Sequence, residues 1–268
     1  IVLDYVFIFI LGWGMTGAAL ATSLGYIVGA GMILGYLGRR RNVVRLCRVK
    51  TSRKSMRLTL RNVGYMCRLG LSTFLCEGAI AMMMFAGNYV FIRYLGEDGV
   101  ATYGVLMYVQ FIFVAIDIGY SIGCAPIISY HYGARNHPEL RNLLMKGLKV
   151  MGILGIVMTI AAISLSGTLA NIFVGYDATL CELTRHAFHL FSFAFLLAGF
   201  NIFLSSFFTA LNNGGVSAAI SFLRTLVFQA ASVILLPMAL DVDGLWWAAS
   251  AAEALAFVVS IGFLLVMK

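Results

Sequence analysis

Charged side chains are sparse in this sequence, and four of them stand inside long apolar stretches: Glu77, Asp117, Arg224 and Glu253. A carboxyl so placed can exchange a proton or hold a cation, and a guanidinium can neutralise it. Counted at 1.5 Å per residue from the nearest polar flank, Glu77 lies roughly 12 Å deep, Asp117 roughly 16 Å, Arg224 roughly 15 Å and Glu253 roughly 14 Å. A bilayer's hydrocarbon core is about 30 Å thick, so all four come near mid-depth on four different segments. Asn201, in GFNIFLSSFF, reaches the same level on a fifth, with Ser205 and Ser206 one turn away. Asn88 lies in the outer half of the segment that carries Glu77, where it could line a cavity.

An Asp or Arg at the bilayer centre costs about 2.5–3.5 kcal/mol on insertion scales. Such groups must therefore face the bundle interior or a wet cavity, and one another. Arg224 reads first as half of a structural ion pair. It cannot absorb three acids. At least one carboxyl remains to be protonated, hydrated or matched by a cation, which is the element a coupled exporter needs. Glu77 is the first candidate for that role, and Asp117 and Glu253 follow.

The membrane setting comes from composition. Of 268 residues, 61% are hydrophobic and 11% charged, at a mean hydropathy of +0.94. A soluble domain holds about 25% charged residues. Apolar runs separated by polar breaks cover 1–12, 15–38, 69–94, 99–129, 143–168, 183–211, 215–238 and 244–267. Several exceed the ~18 residues that cross a bilayer. Backbone polar groups must be satisfied internally there, and the alternating pattern of a membrane barrel is absent, so the expected fold is all-α, a polytopic helix bundle.

Basic residues orient it. The stretch 39–68 holds 11 of the 19 Lys and Arg, and alternating sides from there gathers 16 of the 19 on one face. That asymmetry predicts a cytoplasmic linker at 39–68 and a multi-pass protein of the cytoplasmic membrane. The net charge of +8 is then a topology and headgroup signal, and no nucleic-acid motif accompanies it. Cys47, Cys67, Cys76, Cys124 and Cys181 have no metal or redox spacing and read as small membrane hydrophobes. No metal or organic cofactor is expected. His186 and His189 share a helix face at the outer mouth and read mainly as interfacial packing. WGMTGAALATSLG (13–25) and VDGLWWAASAAEA (242–254) form a weak internal repeat that aligns Gly17 with Gly244 and Ala21 with Ala248. The chain starts at Ile1 in mid-hydrophobic sequence, so it is expected to be a piece of a longer protein.

APIISYHYGARN (125–136) resembles an element of MATE (multidrug and toxic compound extrusion) transporters at the cytoplasmic end of the eighth helix. LDYVFIF with GAALAT, then GVATYGV, then NIFLSSFFTALNNGGVSAAISFLRTLVF with GLWWA, resemble further stretches of that family in the same order. The resemblance implies twelve helices in two six-helix lobes. Residues 1–38 would end the N-terminal lobe, 39–68 would link, and 69–268 would be the C-terminal lobe. The rest of the N-terminal lobe would be the partner missing from this stretch. It also implies rocking, alternating-access export of organic, often cationic and amphiphilic compounds, coupled to H+ or Na+. On this reading Pro126 and Gly133 form a hinge or gate, with Gly133 allowing a sharp exit and Tyr130, His131 and Tyr132 anchoring at the headgroups. Two departures bear on the coupling ion. The chain has GLS (70–72) where sodium-linked members carry GLP or GFP, and no acid stands near Asn201, so a proton is favoured.

Two other functions compete. A lipid-linked oligosaccharide flippase moves anionic cargo, and three acids against one arginine argue for cationic cargo instead. A membrane-embedded acyltransferase needs a histidine near mid-depth, whereas His131, His137, His186 and His189 all lie at segment ends. The motifs of nucleotide hydrolysis and of standard hydrolases are missing.

Overall fold

Residues 2–38 and 52–266 are described by the computed structural model, with the backbone alone at 65, 68–77 and 79. All regular structure among them is helical: α1 (Val2–Tyr5), a π-helical turn (Val6–Ile10), α2 (Gly14–Gly38), α3 (Arg53–Gly133), α4 (His137–Val174), α5 (Ala178–Phe191), α6 (Phe193–Ala210), α7 (Gly214–Phe222), a second π-helical turn (Leu223–Phe228) and α8 (Gln229–Val266). Five stretches are long and apolar enough to cross a membrane: Gly14–Gly38, Ile80–Gly133, His137–Val174, Phe193–Ala210 and Gly214–Val266. This is a multi-pass, all-α membrane bundle. The chain divides into two compact units, Ile1–Gly64 and Tyr65–Lys268.

Two stretches are far too long for one crossing. A 54-residue helix would run about 80 Å, against a core of about 30 Å. Each doubles back at one residue. In α3 that residue is Gly96, at φ 67 and ψ −148, a conformation open to glycine at little cost. The two arms of α3 then stack Phe91 on Tyr103 with ring centroids 4.5 Å apart. In α8 the reversal falls at Asp241, φ 49 and ψ −133. The segment expected at 183–211 is interrupted at one residue, the buried Ser192 between α5 and α6, whose own backbone stays helical at φ −60 and ψ −24.

The basic stretch reads differently from a plain linker. Residues 39–51 lie outside the described residues, whereas 53–68 are helical and continue into the first arm of α3. The exit after APIISYHYG also differs. α3 runs helically through Pro126 to Gly133, and the left-handed residue is Arg135, φ 52, so Gly133 is not what turns the chain. Asn136 then caps α4, its side chain accepting from the Glu139 N–H, with a proline at the start of the new helix.

The larger unit packs around aromatic residues. One cluster joins Phe91, Leu106, Phe188, Phe195 and Trp246, from α3, α5, α6 and α8. A second joins Ile128, Met151, Phe203 and Phe207, from α3, α4 and α6. Phe111, Ile112, Ile153 and Ile160 remain exposed, as a lipid-facing surface requires. Small residues set the closest approaches. A Cβ at Gly155 of α4 would sit 2.8 Å from the Leu196 carbonyl oxygen of α6. The internal repeat has a structural counterpart as well. A Cβ at Gly17 would meet the carbonyl of Phe7, in the π-helical turn before α2, at 2.9 Å, and one at Gly244 would collide with the carbonyl of Leu236, in the first arm of α8.

Overpacking a site like Gly155 costs about 1–3 kcal/mol. Gly155→Val is therefore expected to lower the melting temperature in detergent by about 5 °C. Gly167→Val, in open space on the same helix, should leave the melting temperature unchanged to about 1 °C on that scale.

Candidate functional site

Helix periodicity brings most of the mid-depth groups together. Asn201 of α6, Arg224 of the second π-helical turn and Glu253 of α8 meet inside the larger unit. Arg224 Nε lies 2.8 and 2.9 Å from the two carboxylate oxygens of Glu253, and Nη2 lies 2.7 Å from Oε1. Asn201 Nδ2 donates to Glu253 Oε2 at 2.7 Å and to the Glu253 carbonyl at 3.0 Å. Asn201 Oδ1 accepts from Ser260 Oγ at 3.2 Å, seven residues further along α8. Asn201 and Ser260 are wholly buried, and Glu253 is 6% exposed. Charge-assisted bonds of this length are strong, and here the carboxylate is fully engaged.

The π-helical turn helps aim Arg224. Such turns insert one extra residue into a helix and are common at functional sites. Nothing in LRTLVF announced it. A hydroxyl ladder continues from the cluster. Ser205, one turn beyond Asn201 on α6, lies 2.9 Å from both Ser217 Oγ and Ser221 Oγ of α7, and Thr209 donates to Ser217 at 2.7 Å.

Asp117 stands apart. It is 2% exposed on the second arm of α3, and its Oδ1 is one of two buried side-chain polar atoms among the described residues with no hydrogen-bond partner, the other being Trp246 Nε1. Ser121, one turn along, spends its hydroxyl on the Asp117 backbone carbonyl at 2.8 Å. Arg224 and Glu253 are near enough for their charges to act on Asp117, yet Arg224 makes its ion pair with Glu253.

The sequence pattern of the MatE family matches residues 75–235. The chain belongs to the MatE family. It is similar to the multidrug export protein MepA of Staphylococcus aureus (strain bovine RF122 / ET3-1), 22% identical over 258 residues that cover 95% of this chain and 54% of MepA. The chain thus spans about half the length of that curated relative. Two solved structures resemble it at a TM-score of 0.83 and 23% identity, over 98% of this chain and 58% of theirs. One is an outward-facing multidrug resistance MATE family transporter of the MOP superfamily. The other is a MOP superfamily transporter from Pyrococcus furiosus Vc1 with a binding pocket of reversed polarity. Both establish the fold.

In this MatE chain, then, Asp117, Asn201, Ser205, Arg224 and Glu253 all lie at helix contacts within the larger unit. Asn88 is half-buried on the first arm of α3 and makes none of these bonds. The Glu77 side chain lies outside the described residues. Ser121, Ser217, Ser221 and Ser260 were missed in the sequence, although Ser121 stands four residues from Asp117, Ser260 seven from Glu253, Ser221 three from Arg224 and Ser217 four from Ser221, spacings that put each on the same helix face as its neighbour. His186 is not simply packed: its Nε2 lies 2.8 Å from Asp243 Oδ1, with both side chains about half exposed. Between α6 and the α8 reversal opens an apolar cleft of about 470 Å³, lined by Phe193, Leu197, Leu236, Trp247 and Ala251 among others.

Breaking a buried ion pair by removing one partner costs about 3–5 kcal/mol, because the other charge is left uncompensated. Glu253→Gln and Arg224→Gln should each lose about that much stability in detergent unfolding. The double variant should lose clearly less than the sum of the two.

Proposed function

We propose that the full-length protein is a secondary active exporter and not an enzyme. It would exchange organic, cationic amphiphilic compounds against a coupling cation by alternating access of two lobes. The observation that carries this reading is the Asp117 carboxyl, held in the middle of a membrane bundle with one oxygen unpartnered while the nearby Arg224 is closed on Glu253. A carboxyl in that position gains from binding a proton or a cation, and gains differently when the surroundings change. That is the differential affinity a coupled cycle requires.

Glu77 is the second candidate for coupling. Glu253 is demoted from that role, since any ion would have to displace Arg224 and Asn201. Asn88, Asn201, Ser205 and Arg224 would supply the polar wall of the cargo route, and the apolar cleft suits the hydrocarbon part of an amphiphile. Pro126, near the end of α3, would serve as the hinge, with Ser129 tying that end to the Ala210 carbonyl at 3.1 Å. The export activity of MepA and the positive-inside pattern support placing the protein in the cytoplasmic membrane, with 39–68 inside. The flippase reading is weakened by Arg224. A cationic arginine neutralised by Glu253 is poorly placed to attract an anionic cargo.

The test uses the full-length protein in vesicles, following a fluorescent organic cation under imposed proton or sodium gradients. Asp117→Asn is expected to cut gradient-driven export by at least about tenfold, with insertion and cargo binding retained. Glu77→Gln should do the same. Wild-type export by Asp117→Asn would remove that carboxyl from the mechanism.

A further inference from the structure

Resting on the reading of Asp117 as the coupling acid, we infer that Gly199 and Met151 are positioning residues that make it a carrier of protons and not of sodium. The carboxyl lies between three helices. Its Oδ1 packs on α6 where Gly199 has no side chain: a Cβ there would sit 3.0 Å from Oδ1, 3.2 Å from Asp117 Cγ and 3.1 Å from Met151 Sδ. Met151, of α4, is wholly buried. Gly199 thus keeps open the space that the carboxyl and the thioether share.

Among the described residues, that space is poor in oxygen. A hard cation is held by several oxygens, in transporters often by backbone carbonyls freed where a helix unwinds. Here α4 and α6 run unbroken past Met151 and Gly199, and the reversal of α3 lies far off at Gly96. The carbonyls of α4 and α6 at this level lie within unbroken helix. Ser121 Oγ is spent on a backbone carbonyl, Asn201 on Glu253 and Ser260, and the neighbouring sulfur is a soft donor. A proton needs none of this. It adds to one carboxylate oxygen from water on the side to which the site is open and leaves to water on the other. The acid so formed is neutral, which suits an apolar cradle. Among the described side chains, the charged groups whose fields reach the site are Arg224, from the π-helical turn, and Glu253, from α8.

A small residue between close helices can also be mere packing, so the test separates room for the carboxyl from stability. Full-length protein in vesicles is given a proton gradient without sodium, or a sodium gradient at matched pH, with export of a fluorescent organic cation as the readout. The wild type should export on the proton gradient and run at less than about a tenth of that rate on sodium alone. Gly199→Ala should lower proton-driven export about tenfold while cargo Kd stays within about twofold. Adding Met151→Ala, which returns the lost room, should restore export to within about threefold of wild type. Three results overturn the inference: sodium-driven export that Asp117→Asn abolishes, wild-type export by Gly199→Ala, or a double variant that binds cargo normally and stays slow. Wild-type export by Asp117→Asn is a separate failure, that of the coupling reading itself.

Discussion

Arg224 and Glu253, 29 residues apart in sequence, meet through contacts of 2.7–2.9 Å, with Asn201 closing the remaining side of the carboxylate. In water such a pair would contribute little. In the interior of a membrane bundle neither partner can go without the other, so α6, α8 and the π-helical turn between them are held in one register. The consequence for the rest of the polar interior is subtraction. Once this pair is formed, the arginine is committed, and Asp117 is left, among the described residues, as a carboxyl without a counter-charge bonded to it.

That division could be read only in part from the sequence. Mid-depth placement of Asp117, Asn201, Arg224 and Glu253 follows from a constant rise per residue and a bilayer of known thickness. The surplus of acid over base follows from counting. Which acid takes the arginine does not, because it depends on helix rotation, and a π-helical turn changes that rotation without any marker in LRTLVF. The two reversals were legible as polar interruptions, but not as single residues. Gly96 is an ordinary choice for such a turn, whereas Asp241 and Arg135 adopt left-handed backbone that their types do not advertise. Gly133 looked the better turn residue than Arg135 for that reason.

The bundle uses missing side chains as much as present ones. Gly155 lets α4 reach the α6 backbone, Gly244 lets the arms of α8 close on each other, and Gly17 does the same for α2 against the turn before it. The repeat of small residues at 13–25 and 242–254 is thus a repeated solution to one problem, the tight return of a helix after a short reversal. At Gly199 the same device borders a carboxyl rather than a backbone, so its role is chemical as well as steric.

The π-helical turn at Leu223–Phe228 also sets an angle. It holds one residue more than an α-helical turn, and removing that surplus would rotate the following helix by about 100°. The stretch from Gln229 to Pro237 would then show a different side to its neighbours. The angular setting of that stretch is thereby fixed by the same turn that presents Arg224 to Glu253.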